Sequence, residues 1–327
     1  MATTNQRPIA SPFGAASSAT EVMAGIDLRG RRAIVTGGYS GLGVVTVRHL
    51  LAAGAHVVVP ARDPARARVA LANLPGVEVA EMDLMSSNSV AAFAAAIVAR
   101  DEPLHLLINS AGIMATPLMR DEDGHEAQFA TNHLGHYRLT CGLWPVLRAA
   151  DGARVVAVSS RGHQIAGVDL DDIDFVRRDY DKWIAYGQSK SANALFARAL
   201  DRRGVAHGIR AFSLHPGQIL TELGRHLSTE EIAAFDALDE HGQPRIDPSK
   251  GMKTLEQGAA TSLWCATSPL LDGLGGVYCE DCNIAAINQP ELGRKGVAAW
   301  AADDALAERL WKRSREWTGL DVAGASH

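Results

Sequence analysis

Tyr186 and Lys190 stand four residues apart in Tyr186-Gly187-Gln188-Ser189-Lys190. On a helix that spacing puts both side chains on one face. A phenol, with an ordinary pKa of about 10, is a poor base at neutral pH. A neighbouring ammonium favours the phenolate. The pair therefore suits general acid–base chemistry on an alcohol or a carbonyl. Three companions strengthen the reading. Ser160 closes the run Val156-Ala157-Val158-Ser159-Ser160. Asn132 opens Asn132-His133-Leu134-Gly135-His136 within a long helical pattern. Asn109-Ser110-Ala111-Gly112 ends another apolar run.

The elements that must position these residues follow from periodicity. Short apolar runs at 33–36, 56–59, 77–80, 104–108, 154–158 and 209–214 read as strands. Helical spacing covers 42–53, 65–74, 87–100, a pattern over 124–149 interrupted by Pro145, and 183–203. A further helical run, 255–266, precedes a last strand at 276–279, and 303–317 alternates charge and apolar residues like a surface helix. The alternation predicts α/β architecture: one doubly wound parallel sheet of Rossmann type with helices on both faces. Residues 1–27 are expected to form a flexible arm, and 28–327 a single domain. The candidate residues should then meet at the carboxyl edge of the strands, where such folds bind ligands.

Thr36-Gly37-Gly38-Tyr39-Ser40-Gly41-Leu42-Gly43 lies between the first strand and the first helix. Glycine lets the chain turn sharply and lets a pyrophosphate approach the backbone. The helix start then offers free N–H groups and a favourable dipole. Gly37, Tyr39, Ser40, Gly41, Leu42 and Gly43 are thus expected to hold a dinucleotide. After the second strand the sequence reads Pro60-Ala61-Arg62-Asp63. No carboxylate stands where a ribose 2′-hydroxyl would need one, and Arg62 suits a 2′-phosphate. This favours NADP(H) over NAD(H), with Asp63 as the acidic alternative if the register shifts by two.

The chain has 327 residues and a formal charge of −5, which gives no electrostatic footprint for nucleic acid. No apolar run approaches the roughly 18–20 residues of a membrane-spanning helix. No secretory signal is recognisable, so the expected location is cytoplasmic. The four cysteines are too few for a disulfide framework, and Cys279-x-x-Cys282 has no second pair to complete a zinc site. His133 and His136, three apart, read as packed core histidines, and no metal is expected.

In this order, the glycine loop, the Asn109-Ser110-Ala111-Gly112 segment, Ser160, the Tyr186/Lys190 pair and Pro216-Gly217 resemble the short-chain dehydrogenase/reductase family over about residues 28–285. The chain is more narrowly similar to its retinol dehydrogenase and WW-domain oxidoreductase branch. That likeness lies in Asn132-His133-Leu134-Gly135-His136, Gln188-Ser189-Lys190-Ser191-Ala192-Asn193, His215-Pro216-Gly217 and Leu255-Glu256-Gln257-Gly258-Ala259-Ala260. Protochlorophyllide reductases are similar too. The chain departs from the family pattern at Ser110, where a second Asn is usual, and at Tyr39, where many NADP members carry a basic residue.

The resemblance implies roles. Tyr186 exchanges a proton with the reacting oxygen, Ser160 hydrogen-bonds that oxygen, and Lys190 lowers the Tyr186 pKa and holds the nicotinamide ribose. Asn132 holds a water that links Lys190 to solvent. Asp83 and Leu84 lie near adenine. Asn109, Ala111 and Gly112 line the cofactor cleft, joined by Pro216, Gly217, Ile219 and, at the carboxamide, Thr221. His163, Gln164 and Gln218 are expected to touch substrate together with Ser160 and Tyr186. His215 is expected to buttress a turn. An aspartate-rich insertion, residues 168–182, in a flap near 163–182, and the stretch 222–252 should wall the pocket, with Ile165, Leu220, Leu223 and Leu227 pointing to a lipophilic small-molecule alcohol or carbonyl. The family also implies a homo-oligomer, dimer or tetramer, built on helices 124–149 and 183–203, where Ala192, Ala194 and Ala197 would permit close packing. Two other activities keep the same motifs in view: reduction of a carbon–carbon double bond, and a non-catalytic nucleotide-sensing or interaction role. Retention of Tyr186, Lys190, Ser160 and Asn132 together speaks for an enzyme.

Overall fold

The computed structural model describes residues 5–235, 237–239 and 241–322. Continuous apolar runs form the strands β1 (Arg32–Thr36), β2 (His56–Ala61), β3 (Glu78–Glu81), β4 (Leu106–Asn109), β5 (Arg154–Val158), β6 (Arg210–His215) and β7 (Val277–Glu280). All seven are parallel, in the order β3-β2-β1-β4-β5-β6-β7, and β8 (Asn283–Ile284) adds an antiparallel edge. Register is fixed by burial on both faces: Ile34 pairs with Val58 and Leu107, Thr36 with Asn109, and Val158 with Leu214. The chain reverses its direction of travel across the sheet between β1 and β4. In such sheets the crevice outside the strand ends at that point takes the ligand.

Helices cover both faces. One core packs α4 (Ser87–Val98), α6 (Gly135–Gly142), α7 (Trp144–Arg148), α8 (Lys182–Gly204) and α11 (Asp304–Thr318). The other packs α1 (Ala19–Val22), α2 (Gly41–Ala52) and α10 (Leu255–Thr267). A short α3 (Pro64–Ala70) follows β2, and α9 (Thr229–Ala234) stands in the long connection after β6.

The structure departs from expectation at three places, not always completely. Residues 5–27, read as a flexible arm, lie against the body, while residues 1–4 fall outside the described residues. The Gln6 amide donates to the carbonyls of Tyr278 and Ala285 at 2.8 and 2.7 Å and accepts the Tyr278 N–H, so it caps the edge of β7. Ala19, Val22 and Met23 are buried in the core that contains α10.

The helical pattern over 124–149 is interrupted next to Pro145, between α6 and α7, as expected, and is broken a second time earlier. Between α5 (Ala127–Phe129) and α6 the chain makes a π-helical turn, Ala130–Leu134. The cause is long-range: the Asn132 amide accepts the Ile113 N–H at 2.9 Å and donates to the Ile113 carbonyl at 3.0 Å. Side chains inserted in this way displace the regular ladder.

The helix faces assigned to a subunit interface are covered within one chain. Ala192 and Ala197 share a core with Ala307, Leu310 and Trp311 of α11, and Ala194 packs with Val297, Ala298 and Ala301. These three alanines are therefore buried within the chain, and α11 covers that part of α8.

Candidate active site

The site is assembled where β5, β6 and the N-terminal half of α8 meet. Asp181 caps α8 by accepting the N–H groups of Trp183 and Ile184, which sets the start of the helix and the phase of Tyr186 and Lys190 one turn later. Tyr186 is 4% exposed and lies beside the loop after Ser160. Gly162 is required there, since a Cβ would come within 2.6 Å of the tyrosine ring. Ser159 and Ser160 part company: the Ser159 hydroxyl donates to the Lys190 carbonyl at 2.6 Å inside the core, while Ser160 lines the cleft.

Lys190 Nζ donates to the Val158 carbonyl at 3.0 Å and sits 5.7 Å from the centre of the Tyr186 ring. A Cβ at Gly112 would stand 3.0 Å from Asn132 Oδ1 and 3.5 Å from Lys190 Nζ. Asn132, Gly112 and Lys190 are thus neighbours. The Asn132 amide also donates to the Ser189 hydroxyl at 2.9 Å, which in turn donates to the Tyr186 carbonyl at 2.8 Å. Burial pushes the Tyr186 phenol up to about 12, opposed by the Ser160 hydroxyl, and pulls the Lys190 ammonium down to about 8. At neutral pH the pocket therefore presents a protonated phenol and a cation beside it.

His136 ties this cluster to the glycine loop. Its Nδ1 donates to the Asn132 carbonyl at 3.0 Å, which leaves Nε2 to accept from the Thr36 hydroxyl at 2.9 Å. The Thr36 oxygen then accepts the N–H groups of Ser110 and Ala111 at 2.9 and 3.0 Å. This consistent donor chain needs a neutral imidazole, and burial holds His136 down at about 4. His133 bonds the Ser314 hydroxyl of α11. Both histidines have protein partners, and among the described residues no group of His, Cys, Asp and Glu could hold a metal ion.

The glycine loop fits a dinucleotide. Gly37 and Gly41 have φ of +66° and +49°, and a Cβ at Gly43 would overlap the Gly37 carbonyl. Ser40, the N-cap of the 12-residue helix α2, makes no side-chain cap bond, so that helix start is open to an anion. Thr221 lies over Gly41, whose Cβ would come within 3.3 Å of the threonine methyl. Asn109 is buried with its Oδ1 unpartnered. Arg62 is exposed directly after β2, whereas Asp63 is occupied as the N-cap of α3. Asp83 accepts the Met85 N–H beyond β3, and Leu84 packs against Gly135.

Beside Tyr186 opens a cleft that is continuous with solvent. All four apolar residues named from sequence, Ile165, Leu220, Leu223 and Leu227, line it, as do Gly217, Gln218, Ile219 and Thr221. Sequence reasoning missed Trp183, Ile232 and Phe235, which form its far wall. Trp183 stands three residues before Tyr186, on the same helix face, and that spacing was a readable signal. Trp183 and Phe235 meet edge to face at 5.6 Å.

Two substrate-contact expectations are corrected. His163 is buried behind Ser160, with its ring bonded to the Ser160 carbonyl, the Tyr278 hydroxyl and the Ala298 N–H. Gln164 donates to the carbonyls of Arg294 and Gly296 and does not line the cleft. The 310 turn Arg161–Gln164 rotates both away from the cavity. The expected flap at 163–182 also folds elsewhere. Apart from Ile165 it lines none of the cleft, and Leu170 and Ile173 are buried in the core under α8. The segment 222–252 does supply the wall.

Known proteins resemble this chain over most of its length. The sequence profile of the family described as short chain dehydrogenase matches residues 31–232. A Streptomyces antibioticus protein named "Probable oxidoreductase" is 47% identical over 88% of this chain and 97% of its own length. Human retinol dehydrogenase 14 is 35% identical over 90% of this chain and 88% of its own. An uncharacterised protein from Mycobacterium paratuberculosis superimposes with a TM-score of 0.69 at 33% identity, covering 92% of this chain and 98% of that one.

Proposed function

The chain belongs to the short-chain dehydrogenase family, and from that premise we propose that it is an NADP(H)-preferring enzyme interconverting a lipophilic alcohol and its ketone or aldehyde, with Tyr186 as the acid–base. The observation that carries this reading is the placing of Tyr186 and Ser160 together on the wall of an apolar cleft, with Lys190 behind the tyrosine. The names of the similar retinol dehydrogenases agree with a lipophilic substrate.

NADPH, when bound, supplies the hydride. The chain's residues do the rest. The Ser160 hydroxyl donates to the carbonyl oxygen and orients it. The Tyr186 phenol, protonated at neutral pH, gives its proton to that oxygen as negative charge develops. The Lys190 ammonium stabilises the phenolate left behind, and Asn132, fixed in its π turn, seats the water that links Lys190 to solvent. Gly37, Gly41, Gly43 and the start of α2 hold the pyrophosphate, and exposed Arg62 takes the 2′-phosphate.

The test is a titration of the protein with NADPH and NADH, followed by turnover with carbonyl compounds. NADPH should bind at least about 10-fold more tightly than NADH, a preference of about 1.4 kcal/mol, and Arg62→Ala should erase it. Tyr186→Phe should keep cofactor binding and lose about 100-fold or more in kcat. Preference for NADH would overturn the cofactor assignment alone. Full activity in Tyr186→Phe would overturn the mechanism.

A further inference from the structure

The cleft is apolar along the 222–252 wall and rich in hydrogen-bond donors at its other end. Arg161 follows Ser160 and lines the cavity. Its guanidinium packs on Gly251, where a Cβ would fall 2.8 Å from Nη2, and its Nε is buried with no hydrogen-bond partner. Among the described residues no carboxylate pairs with it. Asp281 is taken by Lys253 at 2.6 Å, and Glu280, near enough to feel the charges of Arg161 and Lys295 but not in a salt bridge with Arg161, accepts the Gly296 N–H at 2.7 Å.

His215, the last residue of β6, lines the same end and is 6% exposed. Its Nδ1 accepts the backbone N–H of Arg161 at 3.0 Å, which puts the ring proton on Nε2. That Nε2–H is buried without an acceptor. Burial and the nearby Arg161 and Lys253 keep the ring neutral. A buried donor left unpaired costs about 1–3 kcal/mol. Two such donors on cleft-lining residues, Arg161 Nε and His215 Nε2, mark a place whose acceptor comes from outside the chain. Arg294 at the cleft adds a further cation.

Arg161 and His215 line the same cleft as Ser160, Tyr186, Leu223 and Leu227, so the group that meets them is the one this cleft takes.

We infer that the substrate carries a carboxylate, received by the guanidinium of Arg161 and the Nε2–H of His215, with its apolar body along Leu223, Leu227, Ile232 and Phe235. This rests on the carbonyl-reductase reading above. A guanidinium matches a carboxylate with two parallel bonds, and a neutral imidazole adds a third donor without adding charge.

The probes are benzoylpropionate, a ketone ending in a carboxylate, and its methyl ester. Binding to the NADPH complex is measured by calorimetry and turnover by NADPH oxidation. The acid should bind at least about 10-fold more tightly than the ester. In Arg161→Gln the ratio should fall to about one, and Arg161→Lys, which keeps the charge and loses the fork, should retain part of it. Equal binding of acid and ester by the unaltered protein overturns the carboxylate site, and that comparison needs no variant to fold. So does an acid preference that survives in folded Arg161→Gln. Acid-selective binding with no NADPH oxidation would keep the site and overturn the reductase reading. Oxidation of NADPH by both probes alike, with equal binding, would do the reverse.

Discussion

The catalytic helix α8 has two neighbours of opposite character. Along its buried length α11 is bound by stacked and crossed rings. Phe196 and Trp311 stack at 6.0 Å, Tyr137 meets Trp311 at 4.9 Å, and Arg203 lies over Trp311 while pairing with Glu308. At its N-terminal end the 222–252 wall is held by a few exposed polar ties. These are Glu231 to Lys182 and Trp183, Glu222 to Arg66, and the Gln218 amide to the Phe235 carbonyl. Tightly packed apolar contacts open only with global unfolding, whereas segments with few buried contacts open locally. Tyr186 and Lys190 are thus carried by the helix that α11 packs, and the cleft is walled by a segment with fewer buried contacts.

The largest expected effect comes from acid. His133, against Ser314 of α11, His136, against Thr36, and His163, behind Ser160, are held by burial at about 3, 4 and 4. Unfolded, each takes up a proton near pH 6.5. Folded, each refuses one until the pH is far lower. Stability is therefore complete above about pH 6.5 and is lost as pH falls towards 4, by up to about 3 kcal/mol for each histidine. The melting temperature should be flat between pH 8 and 7 and fall steeply below about 6. A flat profile down to pH 4.5 would show that these rings can be protonated in place, His133 against α11 among them.

Trp311→Ala comes next. It empties a fully packed site between α8 and α11 and should cost about 3–5 kcal/mol. Denaturant unfolding measures this. Because the substitution uncovers Ala192 and Ala197, sedimentation of the same variant tests whether the exposed face then pairs with a second copy. A loss below about 1 kcal/mol would place α11 in the same class as the 222–252 wall.

Much of this contrast was legible in the sequence, but unevenly. Strands such as Arg154–Val158 were readable because a strand buried on both faces must be an unbroken apolar run. The Tyr186/Lys190 face was readable because helix spacing is local. The π turn was not, because Ala130–Leu134 has the composition of a helix and its cause, the Ile113 backbone, lies elsewhere in the chain. His163 misled for a related reason: adjacency to Ser160 says nothing of the 310 turn that carries its ring into the core. The apolar stripe of α11 gave a helix, but a stripe does not say which face it covers. Only the fold shows that it lies on the surface where a subunit contact was expected.

The smallest effect is the sharpest test of the other neighbour. Phe235 is 37% exposed, touches Trp183 edge to face, and lines the cleft. Phe235→Ala removes little that the fold depends on, so the melting temperature should change by no more than about 1 °C. It does remove apolar surface that a substrate would bury. The KM for an apolar carbonyl compound should rise about 10-fold, or about 1.4 kcal/mol, with kcat nearly intact, because uniform binding rather than transition-state stabilisation is lost. Hydrogen exchange on the same protein should find the amides of 229–235 exchanging well before those of α8 and α11, in the unaltered chain and the variant alike. A fall in stability comparable to that of Trp311→Ala would mean that the wall is part of the core, and that access to the cleft must be gated elsewhere.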